Sequence, residues 1–347
     1  MRTFRSISPE RVHTGSGCIA RLGRSLDDVA AKRVLVMTTA SLSQFVNEIE
    51  TLVGARHMGT FGGCSQHSPA ASVGAAAIMA EGADAIISFG GGSVIDTAKA
   101  VAGRVGYPAQ IAIPTTLSAG EFTPGAGITE ETDRVKHVSV DMRALPKIVI
   151  HDPQLTQWTP RQLWLSSGIK ALDHALETLW WVRPHPMTNV IAEDAAKRLL
   201  KWLPRSIDSN AIEAREHCLL GAWMSIQGLF AAGARLSHPL GHQIGAFWDV
   251  PHGITSCVTL PAVMRSLDEL TSVVREQIAP LFGAADGQMA ADVLTRYLKQ
   301  LDLPTRLRET SAVLEEIPMV AAAVTAEFEA TGRSPEVNIT ELLESMW

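Results

Sequence analysis

The stretch ADAIISFGGGSVIDTAKA, residues 83–100, decides the fold. Its first part, ADAIISF, is a short apolar run rich in Ile, which fits a strand buried on both faces. Three glycines follow at Gly90, Gly91 and Gly92. Ser93 and the pattern VIDTAKA then open a helix. Glycines at such a turn allow close backbone approach, and a helix start offers free N–H groups to an anion such as a diphosphate. The spacing is not G-x-G-x-x-G, so the usual dinucleotide fingerprint is absent and a plain strand-to-helix turn remains the alternative.

Working outward, the first half repeats this rhythm. KRVLVMTT (32–39), AQIAIPTT (109–116) and PKIVIHDP (146–153) read as further buried strands. SLSQFVNEIETLV (41–53) and ASVGAAAIMAEG (71–82) have apolar residues spaced near 3.6. Alternation of this kind predicts a parallel sheet covered by helices. Just after the third strand, IPTTLSAGEFTPGAGIT (113–129) supplies the hydroxyls of Thr115, Thr116, Ser118 and Thr123, where open α/β sheets bind ligands. After the strand at 32–39, Thr39 stands where a carboxylate would select NAD, and no nearby arginine demands NADP; use of either NADH or NADPH is expected.

Beyond about residue 155 the rhythm changes. DHALETLWWV (173–182), VIAEDAAKRLLKWLP (190–204), REHCLLGAWMSIQGLFAAG (215–233) and MAADVLTRYLKQL (289–301) are helix-length and periodic. The tail holds two more helical patterns, the last with a capping-type start at ITELL. We therefore expect an α/β dinucleotide-binding domain over 1–155 and an all-α catalytic domain over 156–347, consistent with a chain of 347 residues.

Composition narrows the function. A net charge of -6 gives no cationic surface for a phosphate backbone, which argues against nucleic acid as a partner. No run approaches the length of a membrane span, and Cys18, Cys64, Cys218 and Cys257 lack paired spacing, which together suggest a reduced, cytoplasmic protein acting on small molecules.

Chemistry-bearing residues concentrate in two segments. In LSSGIKALDHALET (165–178), Lys170 and His174 lie one helical turn apart. In SHPLGHQIGAFWDVPHG (237–253), His238 and His242 repeat that spacing, and His252 joins them only if the chain turns back. A shared site is the better reading of four histidines placed this way. Lys170 could also be an ordinary solvated helix lysine.

GGGSVIDTAKA, PTTLSAGEFTPGAGIT, DPQLT, GIKALDHALET and HPLGHQIGAFWDVPHG, in this order over about residues 10–265, resemble the group III iron-containing alcohol dehydrogenase superfamily, whose fold also serves dehydroquinate synthase. Within it, QHSPAASV (66–73) and SAGEFTPGAGITE (118–130) are most similar to maleylacetate reductases. The resemblance implies a nicotinamide dinucleotide on Gly90, Gly91, Gly92 and Ser93, with Thr115, Thr116 and Ser118 along it. It also implies a homodimer. Metal-dependent members hold iron or zinc with an aspartate and three histidines. The histidine positions match His174, His238 and His252, and His242 matches a further active-site histidine. The aspartate position is Lys170.

A protonated lysine cannot ligate a cation and repels one nearby. Asp173 is no substitute, since helix geometry turns it about 100° from His174. The resemblance therefore implies reduction of maleylacetate, a dicarboxylate, to 3-oxoadipate without a catalytic metal. Hydride transfer to a carbonyl builds charge on its oxygen, and Lys170 with His238 or His242 would stabilise it and deliver the proton. A cationic site is expected to attract the dicarboxylate. The alternatives are a metal-dependent alcohol dehydrogenase, using the three histidines alone, and a dehydroquinate synthase-like lyase.

Overall fold

The computed structural model describes residues 7–66, 68–129, 136–180, 185–208, 210–232, 235–270 and 272–347. His67 of QHSPAASV, Glu130 of SAGEFTPGAGITE, residues 181–182 of DHALETLWWV and Gly233 of the 215–233 pattern lie outside the described residues.

The chain divides into two units, one formed by 7–159 with 208–219 and the other by 160–207 with 220–347. The segment 208–219, which the sequence pattern grouped with the helices, belongs to the first because Arg215 donates from Nη1 to the Thr156 carbonyl oxygen (2.8 Å) and to Thr156 Oγ1 (3.1 Å).

In the first unit, β1 (Arg11–Thr14), α1 (Leu22–Asp28), β2 (Val34–Met37), α2 (Val46–Val53), β3 (His57–Phe61), α3 (Ala70–Met79), β4 (Ala85–Gly90), α4 (Gly92–Arg104) and β5 (Ala109–Pro114) follow one another. A hairpin of β6 (Gly125–Thr129) and β7 (Lys136–Val140) precedes β8 (Ile148–His151). The main sheet is parallel, ordered β1-β8-β5-β4-β2-β3. Register pairs Val36 with Ile87 and Ile87 with Ile111.

Alternation along the strands explains the double layer. Val34, Val36, Ile87, Ile111 and Ile148 pack with Leu22, Leu26, Val46 and Ile49 on one face. Leu35, Met37 and Ile86 pack with Val73, Ala76, Val94, Ala98 and Val101 on the other. Because both faces are covered, the strands read as unbroken apolar runs. Four strands match the sequence reading; β1, β3 and the hairpin were not legible. β3, HMGTF, is only partly buried throughout, as suits an edge strand.

The strand order carries a functional consequence. From β2 the chain steps to β3 on one side and then to β4 on the other, so order reverses between β2 and β4. Open sheets bind ligands beyond the carboxyl ends of strands at such a point. Thr38 and Thr39 follow β2 there, and the glycine turn follows β4.

The second unit holds α5 (Arg161–Leu179), α6 (Pro186–Trp202), α8 (Ser237–Trp248), α9 (His252–Leu270), α10 (Gly287–Gln300), α11 (Ile317–Ala330) and α12 (Ile339–Ser345); α7 (Ile212–Ala232) enters it from residue 220. No strand occurs in it among the described residues. The cap of α12 is Asn338, one residue before ITELL, accepting from the Thr340 and Glu341 amides. Among the described residues no helix is long and apolar enough to cross a membrane.

Candidate active site

The glycine turn of the first unit is a cradle of bare backbone. Gly90 ends β4 with φ +156°, and a Cβ there would lie 2.5 Å from Val94 Cγ2. A Cβ on Gly91 would lie 2.9 Å from Thr116 Cγ2, and one on Gly92 3.0 Å from Ser118 Oγ. Gly91 and Gly92 thus let the start of α4 approach the Thr115–Ser118 loop closely, and Gly90 makes room for Val94 of α4. Thr115 N donates to the Gly90 carbonyl at 3.0 Å and locks the two together. Thr116 Oγ1, Ser118 Oγ and, after β2, Thr38 Oγ1 are buried polar atoms with no hydrogen-bond partner. Unpaired buried hydroxyls beside a 13-residue helix start call for a polar ligand, and a dinucleotide diphosphate fits them. Ser93 lies in the first turn of α4. Thr39 Oγ1 lies 2.9 Å from Ser41 Oγ, so a hydroxyl pair stands where a carboxylate would select NAD.

Thr123 requires a correction. It was expected to donate to the cofactor, but its hydroxyl donates to the Gly120 carbonyl (3.2 Å) and accepts from Lys99 Nζ (3.3 Å). Lys99 itself went unread. Its buried ammonium also donates to the Gly120 and Gly125 carbonyls, each at 2.7 Å, pinning the loop from behind. Burial pushes its pKa below the usual lysine range, opposed by Asp96 and Glu121. The signal in sequence was a lysine between two alanines, on a helix whose neighbouring positions are core. A second buried pair, His151 Nε2 and Glu121 Oε1 at 2.9 Å, anchors the same loop.

The second unit gathers the histidines. On α5, Lys170, Asp173, His174 and Glu177 follow i, i+3, i+4, i+7 spacing and are all buried. Asp173 Oδ2 accepts from Lys170 Nζ (3.2 Å), Ser237 Oγ (3.0 Å) and Ser256 Oγ (2.7 Å). One carboxylate therefore ties α5 to α8 and α9. Glu177 accepts from the amides of Leu236 (2.9 Å), His238 (3.2 Å) and Arg235 (3.2 Å) at the start of α8. A carboxylate belongs at a helix N-terminus, where unpaired N–H groups converge. Burial, with the Asp173 charge, nevertheless raises Glu177 to about 7.

His238 and His242 lie on successive turns of α8. The helix ends at Asp249 in a left-handed conformation (φ 53°), the chain reverses through Val250 and Pro251, and His252 opens α9. The rings of His238 and His242 are 4.6 Å apart between centroids, those of His238 and His252 5.5 Å, and those of His242 and His252 5.6 Å. His174 is 5.5 Å from His238. Close helix contacts set these distances. A Cβ on Gly241 would lie 2.7 Å from Thr255 Oγ1, and one on Gly253 would lie 2.7 Å from the Ser166 backbone carbon.

Burial, then the Lys170 charge, pushes His174 and His238 well below the ordinary histidine value. Both rings are neutral at pH 7, and their Nδ1 atoms have no hydrogen-bond partner. His242 differs, because its Nδ1 lies 2.8 Å from Glu327 Oε1 of α11. Burial works to raise the Glu327 carboxyl, but the hydrogen bond and charge of His242, with a bond from Gln243, hold it below its usual range. The expectation of an openly cationic site is corrected by Asp173, whose carboxylate offsets the Lys170 ammonium. Lys170 is accordingly no solvated helix lysine. None of the four cysteines forms a disulfide, and burial pushes the Cys64 thiol up to about 12.

Residues 9–153 match the iron-containing alcohol dehydrogenase family, and residues 164–346 match the C-terminal domain of the Fe-containing alcohol dehydrogenase family. The chain belongs to the iron-containing alcohol dehydrogenase family. It is an oxidoreductase. A maleylacetate reductase of Sphingobium indicum is 35% identical over 256 residues, covering 73% of this chain and 72% of that protein. One from Rhizobium sp. strain MTP-10005 is 31% identical over 322 residues, covering 92% and 90%. The crystal structure of maleylacetate reductase from Agrobacterium tumefaciens superposes with TM-score 0.86 at 28% identity, covering 100% of this chain and 99% of that one.

The resemblance puts the metal-binding aspartate of iron-dependent members at Lys170, while the neighbouring Asp173 keeps one buried oxygen, Oδ1, without a partner. At the corresponding position Lys170 is buried and held by Asp173, and Asp173 Oδ2 is committed to three donors. The histidines that converge most closely also differ from the expected set. Ring nitrogens of His238, His242 and His252 all lie within 4.8 Å of one another, with His174 outside the trio. The residues present do not fit the aspartate-and-three-histidine site.

Proposed function

We propose that this oxidoreductase uses NADH or NADPH to reduce maleylacetate to 3-oxoadipate in aromatic-compound catabolism, as a cytoplasmic homodimer, without a catalytic metal. The observation that carries the reading is Lys170, paired with Asp173, standing where metal-binding relatives place a carboxylate ligand. Relatives named as maleylacetate reductases supply the substrate.

The product retains its ketone, so the carbonyl reduction expected from sequence needs refinement. A nicotinamide dinucleotide bound in the glycine cradle would supply a hydride to the alkene carbon β to the ketone. The alkene electron pair shifts toward the ketone, whose oxygen takes up the negative charge as an enolate. The enolate carbon then takes one proton, which restores the ketone and completes the balance. His242, half-buried and backed by Glu327, is the proton donor in this reading, and Lys170, His238 and His252 line the oxygen that carries the charge. His174 packs behind His238 and holds it in place. Gly90 to Ser93, with Thr115, Thr116 and Ser118, hold the dinucleotide, and the absence of a carboxylate at Thr39 leaves the ribose phosphate of NADPH acceptable.

The test is metal-stripped protein with maleylacetate, following nicotinamide oxidation and product. Stoichiometric consumption of NADH or NADPH with 3-oxoadipate formed is expected. Turnover without net nicotinamide consumption refutes the reading in favour of a lyase. The close trio of His238, His242 and His252 favours one second reading, an alcohol dehydrogenase with zinc or iron on three imidazoles. Activity that disappears on chelation and returns with either metal would establish it.

A further inference from the structure

We propose that Glu327 is a positioning residue for His242, holding a proton on its Nδ1 so that proton transfer to substrate passes through Nε2. The inference rests on the reading of His242 as proton donor. Nothing in the local sequence links them, since they lie 85 residues apart and on different helices.

The geometry is specific. Glu327 Oε1 lies 2.8 Å from His242 Nδ1, and Oε2 accepts from Gln243 Nε2 at 2.7 Å. One carboxylate therefore grips two consecutive side chains of α8 and holds the His242 ring in one orientation. His174 and His238, by contrast, have no partner at Nδ1. A carboxylate on Nδ1–H selects the tautomer with a bare Nε2 and stabilises the imidazolium that forms when Nε2 takes a proton. The charged ring then gives that proton to the enolate carbon, and Nδ1–H stays on Glu327 throughout. Side chains at 23% and 28% exposure let the pair recover the proton from water.

The experiment reads the tautomer directly and the chemistry separately. Protein labelled with 15N-histidine, with the His242 signals assigned by their loss in His242→Gln, reports which ring nitrogen carries hydrogen. The wild type is expected to show Nδ1–H at His242, Glu327→Gln to keep it through its remaining carbonyl oxygen, and Glu327→Ala to lose it. In kinetics, Glu327→Ala is expected to lower kcat by about 10–100-fold, by analogy with the cost of removing the partner that orients a metal-ligating histidine. KM for maleylacetate and dinucleotide affinity should stay within about threefold, and Glu327→Gln should recover part of kcat. Gln243→Ala cuts the other bond to the same carboxylate and is expected to keep kcat.

An unchanged His242 tautomer in Glu327→Ala overturns the proposal. So does an equal kcat loss in Gln243→Ala, which would show that the carboxylate only holds α11 against α8. Should Glu327→Ala fail to fold, the Glu327→Gln spectrum and kcat decide the matter, with loss of Nδ1–H overturning it. If wild-type protein does not turn over maleylacetate, the reaction is wrong, and the tautomer spectra still judge Glu327.

Discussion

The cofactor cradle and the histidine cluster solve the placement of polar groups in opposite ways. The cradle is backbone and small hydroxyls, with Thr38, Thr116 and Ser118 left without partners inside the protein. The cluster is side chains, each helix start held by a buried carboxylate: Asp173 reaches Ser237 and Ser256, and Glu177 caps α8. Unsatisfied buried atoms call for a ligand, and the cluster holds some too, at His174 Nδ1, His238 Nδ1 and Asp173 Oδ1; what sets it apart is the framework of carboxylate bonds to neighbouring helices beneath them. The contrast predicts that damage to the cradle weakens binding, and damage beneath the cluster unfolds the protein.

The largest effect should follow from Asp173. Replacing it with Ala leaves the Lys170 ammonium buried without its counter-charge, at a cost of about 3–5 kcal/mol. Denaturant titration should show that loss in Asp173→Ala and a smaller one in Lys170→Met/Asp173→Asn, where the charge is gone too. If both lose equally, the ion pair is not what holds the three helices. Lys170→Met alone should fold, since Asp173 keeps Ser237 and Ser256 as donors, and should lower kcat sharply while dinucleotide binding persists. A variant with full kcat would remove Lys170 from the mechanism.

A smaller and purely local effect is expected at the cradle. Gly91→Ala places a methyl 2.9 Å from Thr116 Cγ2 and should weaken dinucleotide affinity roughly tenfold, about 1.4 kcal/mol, with the melting temperature nearly unchanged. Fluorescence titration with NADH measures it. An unaltered affinity would mean that the turn is only a turn.

The smallest effect is in pH. His174 and His238 have folded pKa values well below the ordinary histidine value of about 6.5. As pH falls below that value the unfolded chain binds protons that the folded one refuses, so stability declines on acidification and levels off above it. Glu177, raised to about 7, gains stability on acidification over the same range, so the contribution of the rings is read as the difference between wild-type and His174→Asn melting curves from about pH 7.5 to pH 5.5, with the variant losing less on acidification. A His174→Asn variant with the same pH slope as the wild type would contradict the burial of that ring.

The two regions also differ in how far they could be read beforehand. The glycine turn and the Thr115–Ser118 loop lie directly after recognisable strands, so glycine spacing and strand periodicity pointed to them, whereas Thr38 and Lys99 went unread. The histidines themselves were visible by composition, but their supports were not. Asp173 was expected to turn away from His174, yet it shares a face with Lys170 and Glu177 and reaches Ser237 and Ser256, partners that could not be known without α8 and α9. Glu327 comes from a tail helix whose pattern gave only its apolar face. Thr123 shows the converse: a residue of the right type in the right loop, whose hydroxyl is taken by a lysine 24 positions away.

One contact sets the scale of the whole cluster. Next to His252, Gly253 rests against the Ser166 backbone so closely that a single methyl would collide with it. The width of the site is therefore controlled by a residue with no side chain, and not by any of those that do the chemistry. Gly253 is a calibration screw: enlarging it would push the start of α9 off α5 and carry His252 and Ser256 with it, so any room made for substrate is drawn against the bond from Ser256 to Asp173.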